Sequence, residues 1–198
     1  MPSIRYSGIT YASLTNGPGV RNVLHMQGCT IGCKGCFNAH TWSKTGGKLE
    51  DIYKLAWRVL DRDPEGITIS GGEPTEQWEA LRGFLKECHK RKPGLNVLMF
   101  SGVSEDQLEQ NGILKEAFSP YYMSNALVST IVSGPYERDN PSDQYLLGSA
   151  NQKILTWNGV ELAGDGPRVE VHIDKDGTAK VTGFPSKEVI KHIKTNFR

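Results

Sequence analysis

The sequence predicts an α/β fold in which mainly parallel strands form a sheet with outer helices, followed by a β-hairpin and a final helix. Two observations support this prediction. Short apolar segments alternate with amphipathic segments of helical period along most of the 198 residues, and strands separated by helices are typical of βαβ units and a parallel sheet. Near the C-terminus, two segments of alternating polarity flank a polar turn, which favours a hairpin.

Four short apolar segments predict the parallel strands, because each is β-prone and is followed within two residues by a glycine. These segments are residues 20–27, 66–70, 96–100 and 126–132. Four other segments predict helices from the spacing of their apolar residues or from their terminal signals. They are residues 49–60, 75–88, 104–109 and 112–118.

The C-terminal part of the chain changes from helical to alternating patterns. The strands of the hairpin are predicted over residues 168–173 and 178–182, the turn over residues 174–177, and the closing helix over residues 186–194. Ser186 would cap that helix. We expect residues 1–160 to form the core domain and residues 161–198 to form an extension that packs on it.

Charge and composition argue against several classes of function. The net charge is +1, so the composition does not favour binding to nucleic acid or to an anionic membrane surface. No segment approaches the roughly 20 apolar residues of a membrane helix, and the N-terminus lacks the apolar run of a secretory signal. We therefore expect a cytoplasmic protein that binds neither nucleic acid nor membranes.

Three of the four cysteines lie close together. Cys29, Cys33 and Cys36 have the spacing C-x3-C-x2-C and directly follow a predicted strand. Clustered thiolates are the usual ligands of an iron–sulfur cluster. A [4Fe–4S] cluster held by three thiolates keeps one iron open, and an open position is typical of a reactive metal site. The alternative is a zinc site completed by His40 or Cys88, although zinc ligands usually come in two separated pairs.

A second motif follows the next predicted strand, where Gly71, Gly72, Glu73 and Pro74 come directly after the segment 66–70. A glycine pair at the carboxyl end of a strand exposes backbone N–H and C=O groups in the crevice where open parallel sheets bind ligands. The proline suits the first turn of the following helix. Alone, this motif is a weak signal, but together with the three cysteines it is a strong one.

These two motifs resemble those of the radical S-adenosylmethionine (SAM) superfamily. The resemblance implies that the three cysteines bind a [4Fe–4S] cluster, that SAM chelates its open iron, and that residues 71–74 receive the methionine amino group. It also implies that one electron passes from the reduced cluster to the sulfonium, whose S–C5′ bond breaks to release methionine and a 5′-deoxyadenosyl radical. For a chain of this length, we expect an open partial (βα) barrel with the site at the carboxyl ends of the strands.

A narrower resemblance covers most of the chain and is to the activating enzymes of glycyl-radical enzymes, in particular those of anaerobic ribonucleotide reductase. The resemblance implies removal of a hydrogen atom from one glycine Cα of a large partner enzyme. It also implies an electron donor of the flavodoxin or ferredoxin type. The matching segments are residues 16–21 (NGPGVR), 37–42 (FNAHTW), 132–136 (VSGPY) and 148–152 (GSANQ).

Four further residues are candidate cofactor ligands. Asn38 would contact the adenine end of SAM, and Asn151 and Gln152 would donate hydrogen bonds to the cofactor. Ser101 ends a strand on the ligand side, where a ribose contact and a plain turn explain it about equally well. Arg21 either contacts SAM or the partner, or pairs with a carboxylate.

Two departures from the activases leave other substrates open. Ser133 stands where the activases have aspartate, and residues 168–198 exceed the compact activases. The second hypothesis is therefore a radical SAM enzyme that abstracts hydrogen from a small molecule or a peptide. The third is a non-catalytic zinc or iron–sulfur binding module.

Overall fold

The computed structural model describes residues 1–121, 126–159, 168–173, 179–185 and 187–196. Within these ranges, seven strands form one sheet and two strands form a separate hairpin. The strands of the large sheet are β1 (Ser3–Ser13), β2 (Arg21–Met26), β3 (Lys48–Asp51), β4 (Gly66–Gly71), β5 (Asn96–Ser101), β6 (Thr130–Ser133) and β7 (Lys153–Thr156). The helices that follow its strands are α1 (Ile52–Val59), α2 (Trp78–Arg91), α3 (Glu105–Gln110) and α4 (Ile113–Ala117). The hairpin consists of β8 (Val169–Ile173) and β9 (Ala179–Gly183), and α5 (Lys187–Asn196) follows it.

The centre of the large sheet is parallel. Its strand order is β3-β1-β2-β4-β5-β6-β7, in which β2, β4, β5 and β6 run parallel to one another. The outer strands β1, β3 and β7 pair antiparallel. This topology confirms the predicted α/β class with a mainly parallel sheet. Because parallel strands have their carboxyl ends at one edge, the segments after β2, β4, β5 and β6 meet there.

Helices cover one face of this sheet. Alternate residues of a strand share a face, so Ile67 and Ile69 of β4 lie beside Val97 and Met99 of β5 in one fully buried core. The helices contribute the apolar sides of their turns to the same core. These buried helical residues include Leu55, Ala56, Val59, Leu81, Phe84, Leu85, Leu108 and Ala117. Burial of each large side chain stabilises the fold by about 1.5–3 kcal/mol.

The opposite face of the sheet carries a smaller apolar cluster, in which Leu98 of β5 and Val132 of β6 pack against Leu146 and Leu147. The two leucines come from residues 134–152, which follow β6 and return to β7. This segment covers part of the face that the helices leave bare. It also brings polar side chains close to the edge where the site is expected.

Several elements differ from their sequence-based boundaries. The apolar patterns do not reveal β1 or β7, because β1 is only half-buried over most of its length and β7 has four residues. The helix predicted over residues 49–60 begins at Ile52, since Lys48–Asp51 pairs with β1 as β3. Asp51 then caps α1 by accepting from the N–H groups of Tyr53 and Lys54. The strand predicted over 126–132 is present only as Thr130–Ser133.

The C-terminal hairpin and helix are confirmed, and the hairpin packs on the start of the chain. Glu170 of β8 accepts hydrogen bonds from the Ser13 hydroxyl (2.7 Å), the Thr15 hydroxyl (3.0 Å) and the Leu14 N–H (2.7 Å). The predicted turn at 174–177, the predicted cap Ser186 and the domain boundary at 160/161 lie outside the described residues.

None of the helices in the described part of the chain is both long and apolar enough to span a membrane.

Candidate active site

The segments that follow β2 and β4 are in direct backbone contact. The N–H of Glu73 donates to the carbonyl of Gly28 (2.8 Å), and the N–H of Gly72 donates to the carbonyl of Met26 (2.9 Å). A Cβ at position 72 would overlap the Gly28 carbonyl oxygen, so the close approach requires glycine here. The Gly-Gly-Glu-Pro motif is thereby held against the start of the cysteine loop. Gly71 ends β4, and Pro74 opens a short 3-10 helix, Pro74–Gln77.

The cysteine loop is fixed at its base by the segment that follows it. The N–H of Gly28 donates to the carbonyl of Thr41 (2.7 Å), and the N–H of Cys29 donates to the carbonyl of Trp42 (3.1 Å). Both acceptors lie at or just after the 3-10 helix Ala39–Thr41. Residues 29–41 therefore leave the sheet and return to it as one closed loop.

Three thiols lie on this loop, and the fourth lies elsewhere. Cys29, Cys33 and Cys36 are free and partly exposed, whereas Cys88 is fully buried in the core on α2. Burial raises the pKa of Cys29, although backbone N–H groups of the loop act in the opposite direction. Cys88 is thus a structural thiol that stands apart from the loop.

Cysteine thiolates are soft ligands that suit iron–sulfur clusters. In the ranges that the structure describes, no three His, Cys, Asp or Glu side chains gather closely enough to hold a single metal ion. A cubane needs no such common point, because each of its thiolates binds a different iron atom. Three free thiols on one loop are therefore a donor set of the kind that suits a [4Fe–4S] cluster.

Glu73 joins the ends of β4 and β5. The residue is 2% exposed. Its carboxylate accepts from the Thr75 N–H (3.0 Å), the Thr75 hydroxyl (2.7 Å), the Ser101 hydroxyl (2.9 Å) and the Gly102 N–H (2.8 Å). Burial raises the pKa of Glu73, and these four hydrogen bonds oppose that rise. The carboxylate is thus committed to protein donors, and its effect on a ligand would come through the backbone that it fixes.

The candidate ligands Asn38 and Ser101 have different surroundings. The Asn38 side chain makes no capping hydrogen bond to the 3-10 helix that follows it. The backbone carbonyl of Asn38 accepts from the N–H (2.8 Å) and the hydroxyl (2.7 Å) of Thr41. The Ser101 hydroxyl instead donates to Glu73 and accepts from the Val103 N–H (3.1 Å). The Asn38 side chain thus caps no helix, while Ser101 has its hydroxyl engaged in the strand-end network.

Asn151 and Gln152 organise the segment after β6. The Asn151 amide donates to the carbonyl of Pro135 (2.8 Å), and the Gln152 amide donates to the carbonyl of Gly134 (3.0 Å). The Gln152 oxygen accepts from the N–H groups of Gly148 (2.9 Å) and Ser149 (3.2 Å). The Asn151 side-chain oxygen is buried and lacks a hydrogen-bond partner. An orphaned buried acceptor of this kind is suited to a ligand that can donate a hydrogen bond.

Ser133, the departure from the activase pattern, pairs in register with Ser101 across β5 and β6. Directly paired residues on neighbouring strands point to the same face. Ser133 is 2% exposed. Its pairing with Ser101 places it beside the hydrogen bond between Ser101 and Glu73. Aspartate at this position would place a second carboxylate near the first.

Arg21 lies at the opposite end of the strands. It opens β2, where it pairs with Gly66 at the start of β4. Its guanidinium donates to oxygens of Thr68, Pro18, Asn96 and Ile67 rather than to a carboxylate. Of the two alternatives for Arg21, pairing with a carboxylate is therefore wrong, because neutral oxygens of these four residues satisfy the guanidinium.

Two residues near the cysteine loop escape the sequence patterns. Glu76 accepts from the N–H (2.6 Å) and the hydroxyl (2.5 Å) of Thr30, which ties the loop to the 3-10 helix after Glu73. Arg138 lies against Gly35, a contact between distant segments that no local pattern indicates.

The known proteins that this chain resembles support an iron–sulfur site on the cysteine loop. Residues 15–155 match the family described as "4Fe-4S single cluster domain". The chain is 27% identical over 163 residues to the anaerobic ribonucleoside-triphosphate reductase-activating protein of Enterobacteria phage T4, covering 80% of this chain and 96% of that protein. It is 31% identical over 148 residues to the protein of the same name from Haemophilus influenzae, covering 70% of this chain and 89% of that one.

A second group of relatives is also similar. The pyruvate formate-lyase-activating enzyme of Clostridium pasteurianum is 39% identical over 93 residues, which cover 44% of this chain and 39% of that enzyme. The matched family, the two groups of activating proteins and the three-thiol loop agree on a [4Fe–4S] cluster and SAM as cofactors. The chain belongs to the 4Fe–4S single cluster domain family and, within it, to the radical SAM activases of glycyl-radical enzymes.

Proposed function

We propose that this protein generates a glycyl radical on a partner enzyme, and that the partner is an anaerobic ribonucleoside-triphosphate reductase. Two of the similar proteins, from phage T4 and Haemophilus influenzae, are named as activating proteins of that reductase. The matches cover 96% and 89% of their lengths. The observation that carries the proposal is the placement of three free thiols, without a fourth, at the shared carboxyl edge of parallel strands. That edge is where enzymes of related architecture hold their reacting groups.

Cys29, Cys33 and Cys36 would each bind one iron of the cluster. When bound, the cluster and SAM supply a one-electron reduction that yields methionine and a carbon radical able to take a hydrogen atom from a glycine Cα. The backbone of residues 71–74 would receive the methionine amino group, with its position fixed by the Gly28–Glu73 contact. Asn38 and the orphaned oxygen of Asn151 would bind the remaining polar groups of SAM.

Glu73, Ser101 and Gln152 would act through the backbone. Each has its side-chain hydrogen bonds committed to segments that follow β4, β5 or β6. In this arrangement they hold the strand ends at the spacing that the cofactors need, so that little reorganisation accompanies binding.

A macromolecular substrate requires an opening beside SAM. We propose that the large sheet curves into an open partial barrel and that the partner's glycine loop enters at its carboxyl edge. In this proposal residues 1–160 form the catalytic core and residues 161–198 form an extension docked through Glu170. A flavodoxin- or ferredoxin-type protein in the cytoplasm would supply the electron.

The test is activation of the reductase under strictly anaerobic conditions. The reconstituted protein, dithionite, SAM and the reductase should together produce the electron paramagnetic resonance doublet of a glycyl radical, with 5′-deoxyadenosine formed in parallel. A reductase in which the target glycine is replaced by alanine is the control and should give no doublet.

Other outcomes would point to the other hypotheses. Deoxyadenosine without a glycyl signal from the reductase would favour a small-molecule or peptide substrate. A colourless protein that binds zinc and cannot cleave SAM would favour a non-catalytic module and contradict the proposed function.

A further inference from the structure

Arg138, a cation from a distant part of the chain, reaches the cysteine loop. The Arg138 side chain lies so close to Gly35 that a Cβ there would stand 2.5 Å from the Arg138 Cδ and 3.2 Å from its Nε. Gly35 has φ of +81°, which also favours glycine, and it lies between Cys33 and Cys36. The arginine stem therefore runs along the segment that joins two of the three thiols.

This arginine is held in place by the segment that carries it. The N–H of the neighbouring Glu137 donates to the Ser149 hydroxyl (3.1 Å), and the Ala150 N–H donates to the Asn140 carbonyl (2.8 Å). Asn151 binds the carbonyl of Pro135. These hydrogen bonds close residues 135–151 into a defined loop, so the approach of Arg138 to Gly35 is part of the fold of that loop.

Within the part of the chain that the structure describes, the charge of Arg138 has no counterion. No ion pair or hydrogen bond joins its guanidinium to another of the residues that the structure describes. The acidic groups near the loop are already bound, because Glu76 pairs with Lys44 (3.6 Å) and Glu73 accepts four hydrogen bonds. An arginine remains charged at any cellular pH.

A [4Fe–4S] cluster held by three thiolates is anionic, and each added electron increases that negative charge. The net charge around a cluster and the hydrogen bonds to its sulfurs set its reduction potential. We propose that Arg138 raises the reduction potential of the cluster by stabilising the charge of its reduced state. This inference rests on the proposed cluster ligands, and it assigns a role to a residue outside the cysteine and Gly-Gly-Glu-Pro motifs.

The experiment is a redox titration of the reconstituted full-length protein without SAM, followed by the electron paramagnetic resonance signal of the reduced cluster. Arg138→Gln removes the charge, and Arg138→Lys keeps it on a different head group. Lys115→Gln is the matched control, because it removes an exposed cation from α4 on the helix-covered side of the sheet. Dithionite with mediator dyes supplies the electron, so no protein donor is needed.

We expect Arg138→Gln to lower the ratio of reduced to oxidised cluster about tenfold at a fixed solution potential, a shift of about 59 mV for one electron. Arg138→Lys should lower it less, and Lys115→Gln should leave it unchanged. Equal potentials for Arg138→Gln and the unsubstituted protein would overturn the inference. So would an unchanged potential combined with weaker SAM binding, which would assign the guanidinium to the SAM carboxylate instead.

The two proposals fail in different ways. If the unsubstituted protein assembles no cluster, the proposed function fails. If the cluster assembles in all variants with the same iron content and the same potential, only the role of Arg138 fails.

Discussion

The two ends of the parallel strands are both rich in polar groups, but they use them differently. At the amino end, all five N–H groups of the Arg21 guanidinium have acceptors within the protein. At the carboxyl end, three thiols are free, the Asn151 oxygen is buried without a partner, and Arg138 has no counterion among the described residues. A polar group that is satisfied internally stabilises the fold, whereas an unpartnered buried oxygen at the same edge as three free thiols is suited to a ligand.

Replacement of Cys33 by serine should show most clearly that the carboxyl end of the strands serves function rather than stability. Serine lacks the soft thiolate that the cluster requires, so we expect loss of bound iron and a fall in deoxyadenosine formation of at least ~100-fold. The free energy of unfolding of the cluster-free protein should change by less than about 0.5 kcal/mol, because the thiol is partly exposed. Iron analysis, a SAM-cleavage assay and urea unfolding measure these quantities.

Cys88→Ala is the matched control for that experiment. It removes a buried core thiol on α2, so it should lower stability but leave the iron content and the cleavage rate per cluster unchanged. Loss of iron in Cys88→Ala, or retention of activity in Cys33→Ser, would contradict the assignment of the cluster to the cysteine loop at the carboxyl end.

Arg21→Met should have the reverse effect. Methionine keeps much of the buried volume but leaves the oxygens of Thr68, Asn96 and Ile67 without their donor, at a cost of about 3 kcal/mol in unfolding free energy. Burial lowers the pKa of Arg21 to about 10, which leaves it charged at neutral pH. The cleavage rate per bound cluster should stay within about twofold. A large fall in that rate with unchanged stability would instead support a functional contact for Arg21.

Glu73→Gln tests the proposal that Glu73 acts through the protein backbone although it lies at the functional edge. The amide would present donor hydrogens where the carboxylate now accepts from Thr75, Ser101 and Gly102. We expect a loss of about 2 kcal/mol in unfolding free energy together with weaker SAM binding, measured by the change that SAM induces in the spectrum of the reduced cluster. Glu79→Gln, at a position where the side chain is exposed on α2, should change neither quantity. Weaker SAM binding at full stability would indicate a direct contact between Glu73 and the cofactor.

Much of this arrangement could be predicted from local sequence. The four parallel strands and the cysteine loop are marked by apolar runs that end at glycine, and Cys88 is marked as structural by its place on an amphipathic helix. The hairpin is marked by its alternation and its polar turn. These signals lie within a few residues of each other, so they are visible without tertiary information.

The rest depends on contacts between distant segments. Strand β1 has few fully buried residues and exists because it pairs with both β2 and β3. Arg138 approaches Gly35 across more than a hundred positions of sequence, and the acceptors of Arg21 belong to β4 and β5. Neither the pairing of β1 nor these side-chain partners could be deduced from spacing, because the propensities of single segments do not specify them.

The smallest expected effect concerns the hairpin, which docks near the amino end. Glu170 accepts three hydrogen bonds from Ser13, Leu14 and Thr15. Burial raises the pKa of Glu170, but these bonds outweigh burial and lower it below its usual value. An acid whose folded-state pKa is depressed contributes stability that is present above its ordinary pKa of about 4.3 and is lost as the pH falls through the folded-state pKa. The docking of the hairpin should therefore weaken only in acid.

Glu170→Gln should remove this acid-dependent stability and cost about 1 kcal/mol at neutral pH. Because the hairpin is a separate sheet that side-chain hydrogen bonds and the Phe184–Phe100 contact, rather than strand pairing, join to the core, we expect local detachment rather than global unfolding. Hydrogen exchange at β8 and β9 should increase several-fold while exchange at β4 and β5 stays slow, with the exposed Glu109→Gln on α3 as control. If exchange rose equally in the central strands, the hairpin would be part of the cooperative core. The amino end would then stabilise the extension and the sheet as a single unit.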